Sequence, residues 1–262
     1  MNIKDTSLYK VIRSVYYCIK NLPKNIKLYN DTKSIKKFYN IHKDEKCFVI
    51  GNGPSLKIED LEKIQSQGYK TFACNRVYLA FNQTSWRPNY YFMSDDKLIA
   101  QYDGNIGDID IKNRFFPLKC KETIKKGNFY NTLPLDYENE GRFSKDAFEG
   151  VYQAGTITSE MIQFAFYMGF KEVYLIGVDF SYNINEKKED HTYVYQGENN
   201  YFIPNYLKKG EVADTPNVRA NLLGFEAARK AIEEEGRIIK NATRGGKLEV
   251  FERIDLDELL NQ

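Results

Sequence analysis

The sequence predicts an α/β fold with a mainly parallel sheet. Three observations carry that prediction. Short apolar runs alternate with helix-length stretches along most of the chain. The runs are nearly continuous rather than alternating, which suits strands covered on both faces. Several end in glycine or a polar cluster, where the chain turns toward the next helix.

The first strand is CFVIG (47–51). Ser55 then stands as an N-cap, with Lys57–Gln65 helical and Gly68 closing the helix. YKTFACN (69–75) reads as the second strand, and NYYFMSD (89–95), after Pro88, as the third. Residues 101–150 are rich in Asp, Asn, Gly and Lys, with short apolar pieces such as RFFPL (114–118). TSEMIQFAFYMGF (158–170) has helical length and stops near Gly169. EVYLIGVDF (172–180) is the clearest strand. Residues 181–215 are polar and aromatic without a regular period, and a loop of that length in a compact domain is usually functional or mobile. A helix over 219–236, a strand over 237–243 and a short helix finish the chain. There is no internal repeat.

The chain has 262 residues, with 38 Lys+Arg against 36 Asp+Glu. That near balance hides a split. Residues 1–46 hold eleven basic and four acidic residues, a surplus of +7, which leaves the remainder about −5. Nucleic acid is therefore not an expected partner. Leu8, Val11, Ile12, Val15, Ile19 and Leu22 form one apolar stripe on a helix from Ser7 to Leu22, with Lys10, Arg13 and Lys20 off it. Such a helix either rests on an anionic membrane face or packs on the domain or on a second copy of the chain. The expected division is a basic arm over 1–45 and a single α/β domain over 46–262, with a lid at about 181–215. No run of about 18 apolar residues exists, and the start of the chain lacks a signal peptide's apolar core. Cys18, Cys47, Cys74 and Cys120 show no metal spacing, and Cys47 and Cys74 sit in strand-like runs. Reduced core thiols in a cytoplasmic protein are expected, with the arm able to reach the inner membrane face.

Ligands in parallel sheets bind at the C-terminal strand ends. Gly51-Asn52-Gly53-Pro54-Ser55 follows the first strand. Glycines permit a sharp turn and close approach to a ligand, and a following helix start offers N–H groups to a phosphate. The same residues also suit an ordinary strand-to-helix turn. Neither a GxGxxG fingerprint nor a Walker loop is present. Asn75 at the second strand end can both donate to and accept from a base or ribose. Ser94 and Asp95 end the third strand, Gly177 and Asp179 the fourth, and Thr156 and Thr158 sit at a hydroxyl-rich helix start. His42 lies in the charged linker and reads as a surface residue. His191, within Glu189-Asp190-His191, reads either as a base made stronger by its neighbours or as a solvated loop residue. The DxD triplets at 108–110 and 255–257 do not follow strands, so no protein-held metal is expected.

IGNGPSL (50–56), the Cys74-Asn75 pair and GFKEVYLIGVDFSY (169–182) resemble two related groups. One is the bacterial sialyltransferases of the Campylobacter type. The other contains the Maf flagellin-glycosylation proteins and the 6-hydroxymethylpterin diphosphokinases, whose closing motif NATRGG (241–246) resembles. The resemblance implies a Rossmann-like variant, the GT-A-like sialyltransferase fold, over roughly 45–250. It also implies that Asn52, Gly53 and Ser55 cradle the donor's phosphate and ribose, that Asn75 and Ser94 hold the donor, and that Thr156, Thr158, Gly177 and Asp179 stand near the nucleoside. Asp95 completes this donor set. The sialyltransferase pattern has tyrosines after the strand and in the lid, and a histidine base late in the lid. Here Ser181 takes the first slot beside Tyr182, Tyr193, Tyr195 and Tyr201 lie in the lid, and residues 200–214 hold no histidine. The expected catalytic set is His191 as base, with Tyr182 and Tyr193 bonding the departing phosphate.

The function that follows is transfer of a sugar, sialic acid or a relative, from a nucleotide-sugar donor, CMP-linked in the sialyltransferase case. The acceptor is a bacterial surface glycan, free or lipid-linked. No cofactor beyond that co-substrate is expected. The alternatives are a diphosphokinase or other nucleotide-dependent transferase, with Mg²⁺ on Asp95 and Asp179, and a non-catalytic binding protein of glycan assembly.

Overall fold

The central sheet has eight strands, all paired in parallel, in the order β12-β11-β8-β1-β2-β3-β4-β5. Its strands are β1 (Lys46–Ile50), β2 (Lys70–Cys74), β3 (Tyr90–Phe92), β4 (Asn113–Pro117), β5 (Asn128–Tyr130), β8 (Glu172–Ile176), β11 (Ile238–Asn241) and β12 (Glu252–Arg253). Short pairs lie outside it: β6 (Thr132–Leu133) with β7 (Val151–Tyr152), and β9 (Thr192–Val194) with β10 (Val212–Asp214). The structure, a computed structural model, describes residues 22–102, 104–136, 139–184 and 191–261. The stripe expected over Ser7 to Leu22 lies almost wholly outside them.

The α/β Rossmann-like class is therefore as the sequence predicts. Strand residues alternate between two packed layers. Cys47, Val49, Phe72, Cys74, Phe92, Phe115, Val173 and Leu175 face one layer. Phe48, Ile50, Ala73, Tyr91, Phe116, Tyr174 and Ile176 face the other. Both layers are buried, which explains why the strand sequences read as unbroken apolar runs. Among the helices are α1 (Ile58–Ser66), α2 (Asp96–Ala100), α3 (Ile157–Tyr167), α4 (Val218–Glu234) and α5 (Leu256–Leu259).

Chain order along the sheet reverses between β1 and β8. From β1 the chain steps outward through β2 to β5, and β8, β11 and β12 fill the other side. Connections leave β1 and β8 in opposite directions, which opens a crevice at their C-terminal ends.

Two local expectations are corrected, and one open stretch is filled. The first helix begins at Ile58 with Lys57 as N-cap and no side-chain cap bond, because the Ser55 hydroxyl is engaged by Asp179. Residues 101–150, left open by the sequence, hold β4 and β5, which extend the sheet. His42 is buried: it stacks on Phe170 at 4.6 Å and bonds Glu45 through Nδ1 at 3.0 Å and the Tyr90 hydroxyl through Nε2. The segment around it is no loose linker, for Ile35 and Phe38 are core residues. Cys47, Cys74 and Cys120 are buried free thiols, and burial pushes Cys74 up to about 12.

Candidate functional site

The crevice at the switch point is a cavity of about 190 Å³. Its walls come from four places: the turn after β1 (Gly51 to Pro54), the end of β2 (Cys74, Asn75), the start of α3 (Thr156 to Thr158) and the turn after β8 (Gly177 to Tyr182). Asn200, Tyr201 and Tyr206 close it from the lid. Of the predicted donor set, Asn52, Gly53, Asn75, Thr156, Thr158, Gly177 and Asp179 meet in this one space.

The glycines are explained by the chain itself. A Cβ on Gly51 would overlap the Gly177 carbonyl, and one on Gly53 would overlap the Asp179 carboxylate. Gly177 has φ of +63° and presses on Gly51 from the other side. Backbone bonds Gly51 N–H to Ile176 O at 2.8 Å and Gly53 N–H to Gly177 O at 2.9 Å lock the two turns together. NATRGG braces the same place. Thr243 Oγ1 accepts from the Val178 N–H at 3.1 Å, and Lys247 N–H donates to Asp179 O at 2.7 Å.

Ser55 and Asp179 are bonded to each other. Asp179 is 9% exposed and accepts from the Ser55 N–H at 3.2 Å and the Ser55 hydroxyl at 2.8 Å. A carboxylate this buried needs such donors. Burial still raises its pKa, with the Ser55 bonds opposing. Ser55 spends its N–H and hydroxyl on Asp179 and is absent from the cavity's walls.

The asparagines are held open. Asn52 Nδ2 donates to Cys74 O at 3.1 Å and to the Tyr206 hydroxyl at 3.3 Å, while its Oδ1 is buried without a partner. Asn75 has a left-handed backbone, φ +53°, and its carbonyl accepts from the Tyr91 hydroxyl at 2.7 Å. Its Oδ1 too is buried and partnerless. Left-handed asparagine is tolerable but uncommon, and such positions gather at functional sites.

Ser94 and Asp95 lie in an adjoining cavity that shares Asn75, Thr156, Ile157 and Tyr182 with the first. Asp95 caps α2, its Oδ1 accepting from Lys97 N–H at 2.8 Å and Leu98 N–H at 3.1 Å. Ser94 donates to Glu160 at 3.0 Å. Thr156 caps α3, whose first turn faces the main cavity.

The catalytic expectations fare less evenly. Tyr182 lines both cavities and is 41% exposed. Tyr193 is 4% exposed and absent from the walls of either cavity. Its phenol interacts with Tyr201 instead, because β9 turns it into the lid's interior. His191 is exposed at the edge of the lid with φ of +59°, and it lines neither cavity. Its flanking Glu189 and Asp190 lie outside the described residues.

Several site residues were missed. Tyr206 stacks face to face on Tyr201 at 3.9 Å, and both form the cavity's roof. Burial raises both phenols, so both are proton-bearing donors at neutral pH. Arg76, 8% exposed, ties the lid down through Glu211 at 2.8 Å, the Tyr206 carbonyl and Gln101. The lid's Phe202 N–H reaches the Asn52 carbonyl at 3.1 Å. Glu160 is 2% exposed and accepts from Ser94, Gln153 and Tyr130. Its position in the first turn of a mostly apolar helix was the available signal, since a lone acid there lacks a packing reason. Among the described residues no cluster of three or more His, Cys, Asp or Glu side chains is placed to hold a metal.

A family model described as 6-hydroxymethylpterin diphosphokinase MptE-like matches residues 17–185. No curated protein matches the sequence. The Maf glycosyltransferase from Magnetospirillum magneticum AMB-1 shares the fold, with TM-score 0.50 and 16% identity over 88% of this chain. The match spans 38% of that longer structure. The sialyltransferase CstII from Campylobacter jejuni, in complex with a substrate analogue, cytidine-5'-monophosphate, aligns at TM-score 0.45 and 14% identity, over 81% of this chain and 85% of that one.

Proposed function

The chain belongs to the MptE-like family; we propose that it is a glycosyltransferase, as the Maf protein that shares its fold is named. It takes a sugar from a CMP-linked donor and passes it to a bacterial surface glycan. One observation carries the reading: two buried, partnerless amide oxygens, on Asn52 and Asn75, belong to walls of the same switch-point cavity. An unpaired buried acceptor costs about 1–3 kcal/mol. Ribose hydroxyls or a cytosine amino group supply the donors those oxygens lack.

Charge supports CMP over other nucleotides. The described residues lining the cavity include Asp179 and no lysine or arginine. A donor with one phosphate asks for less positive charge than one with two or three. The first turn of α3 offers the positive end of a helix dipole to that phosphate. Tyr182 at the cavity's mouth and the Tyr201–Tyr206 roof supply phenols for the phosphate as it leaves, where negative charge develops. The lid aromatics keep water from the reacting carbon.

The family description favours a second reading, Mg²⁺-dependent diphosphoryl transfer. Asp95 and Asp179 would hold the metal, yet they line different cavities and each carboxylate already accepts hydrogen bonds. Thermal shift with CMP-, UDP- and GDP-sugars and with ATP–Mg²⁺ separates the two. CMP-linked sugar is expected to give the largest shift. A shift with ATP–Mg²⁺ and none with any nucleotide sugar sinks the transferase reading.

The basic arm fits a membrane-borne acceptor. Residues 22–32 are helical, and Leu22 and Ile26 are 54% and 52% exposed one turn apart, beside Lys24 and Lys27. Such a face suits an anionic bilayer surface. No helix among the described residues is long and apolar enough to cross a membrane.

A further inference from the structure

Beyond Tyr182 the crevice continues into the second cavity, about 470 Å³, whose wall includes Ser94, Asp95, Gln153 and Glu160. A buried carboxylate at that wall is unused by the donor pocket. Glu160 Oε1 accepts from the Ser94 hydroxyl at 3.0 Å and from Gln153 Nε2 at 3.1 Å, and its Oε2 accepts from the Tyr130 hydroxyl. The Lys119 charge acts on it, but that ammonium is paired with Asp96. Packing alone would favour an apolar residue here, since burying an acid is costly.

Ser94 is the outward link. With its hydrogen committed to Glu160, the hydroxyl keeps lone pairs free to accept another proton. We propose that Ser94 and Glu160 form a proton relay serving the acceptor hydroxyl, with the second cavity as the acceptor's seat. The acceptor's proton passes to Ser94 Oγ as the Ser94 proton passes to Glu160 Oε1. The acceptor oxygen forms its bond to the sugar's anomeric carbon. The bond from that carbon to the donor's phosphate oxygen breaks, and its electron pair leaves with the phosphate. This rests on the glycosyltransferase reading. Ser94 is the group that touches the acceptor, and Glu160 acts through it.

The titration of Glu160 agrees with the geometry. Burial raises it to about 7, against the pull of its three donors and of Lys119. Cys74, Cys120 and Tyr130 are the other titratable groups that feel it. A carboxylate in that range both loses and accepts a proton near neutral pH.

The test measures nucleotide release, with water as acceptor, from pH 5 to 9. The probe is whichever of CMP-N-acetylneuraminic acid, UDP-N-acetylglucosamine and GDP-mannose most stabilises the wild-type protein. Wild type is expected to speed up through a limb near pH 7. Glu160→Gln is expected to lose that limb and about 10²-fold in rate while its affinity for the probe stays within twofold. Ser94→Ala leaves Glu160 in place and is expected to lose rate to the same degree, and it decides the matter if Glu160→Gln does not fold. An unchanged limb in either variant overturns the relay and leaves the glycosyltransferase reading standing. Loss of the limb in Asp95→Asn instead assigns the proton to Asp95 and also overturns it. Failure of the wild type to bind or cleave any of the three probes overturns both.

Discussion

The two halves of the crevice are built by opposite means. At the β1–β8 end, backbone meets backbone: Gly51, Gly53 and Gly177 leave no room for side chains, and hydrogen bonds between the turns fix the geometry. At the α3 end, long side chains from separate elements converge: Ser94 after β3, Tyr130 on β5, Gln153 after β7 and Glu160 on α3. The first half is rigid, with Asp179 as its buried carboxylate. The second is a polar network in a dry setting, where one buried carboxylate must be kept satisfied. The difference teaches where to seek chemistry: the glycine end shapes the cavity, and the side-chain end holds the titrating group.

Breaking the rigid half is expected to have the largest effect. Gly51→Ala places a methyl group against the Gly177 carbonyl, a backbone atom that cannot swing aside. A loss of about 3 kcal/mol or more is expected, since overpacking of this kind typically costs 1–3 kcal/mol and here it meets main chain. Chemical denaturation reads it, and wild-type stability would show the two turns to be loosely coupled.

The side-chain half is probed by pH. Glu160 keeps its proton in the folded chain up to about 7, whereas its ordinary value is 4.5. Below about 4.5 both folded and unfolded chains hold the proton. Between those values only the folded chain does, so this residue's contribution to stability falls as pH rises and levels off above about 7. The full loss is on the order of 3 kcal/mol. Glu160→Gln lacks this decline, so the stability gap between variant and wild type should shift in the variant's favour from pH 4.5 to 8. A pH-independent gap contradicts the assignment.

The lid joins the two halves and comes next in size. Arg76→Met breaks a nearly buried pair with Glu211, whose side chains are 10% and 14% exposed. The expected cost is about 2 kcal/mol, accompanied by faster proteolysis within 195–215. Resistance equal to wild type would mean the apolar contacts of Ile203, Tyr206 and Leu207 hold the lid alone. For the arm, Leu22→Ser with Ile26→Ser should weaken binding to vesicles of anionic phospholipid about tenfold in a sedimentation assay. These two sites spare the core residues Ile35 and Phe38.

Legibility in the sequence follows the same division. The β1, β2, β8 and β11 strands and the long helices were readable, because buried strands and amphipathic helices leave local patterns. So were Asn52, Asn75, Thr156 and Asp179, which sit at strand and helix ends where a parallel sheet puts its ligands. The β4 and β5 strands hid among Asp, Asn and Lys, since short strands toward a sheet edge carry few apolar residues. Ser55 was misassigned because a hydroxyl one turn ahead of a helix resembles a cap, and only the fold shows Asp179 claiming it. His191 drew attention for the carboxylates beside it, and the fold sets it outside the walls of both cavities. Glu160, Tyr130 and Gln153 lie apart in sequence and meet only once the chain is folded.

The central claim is that the Asn52–Asn75 cavity binds the nucleotide of a CMP-linked sugar. Isothermal titration of CMP into wild type and Asn75→Ala tests it most directly. The account predicts saturable binding to wild type and about tenfold weaker binding to the variant, the ~1.4 kcal/mol that one hydrogen bond to a buried acceptor contributes. Equal affinity in the two proteins, or no binding to wild type, would contradict it.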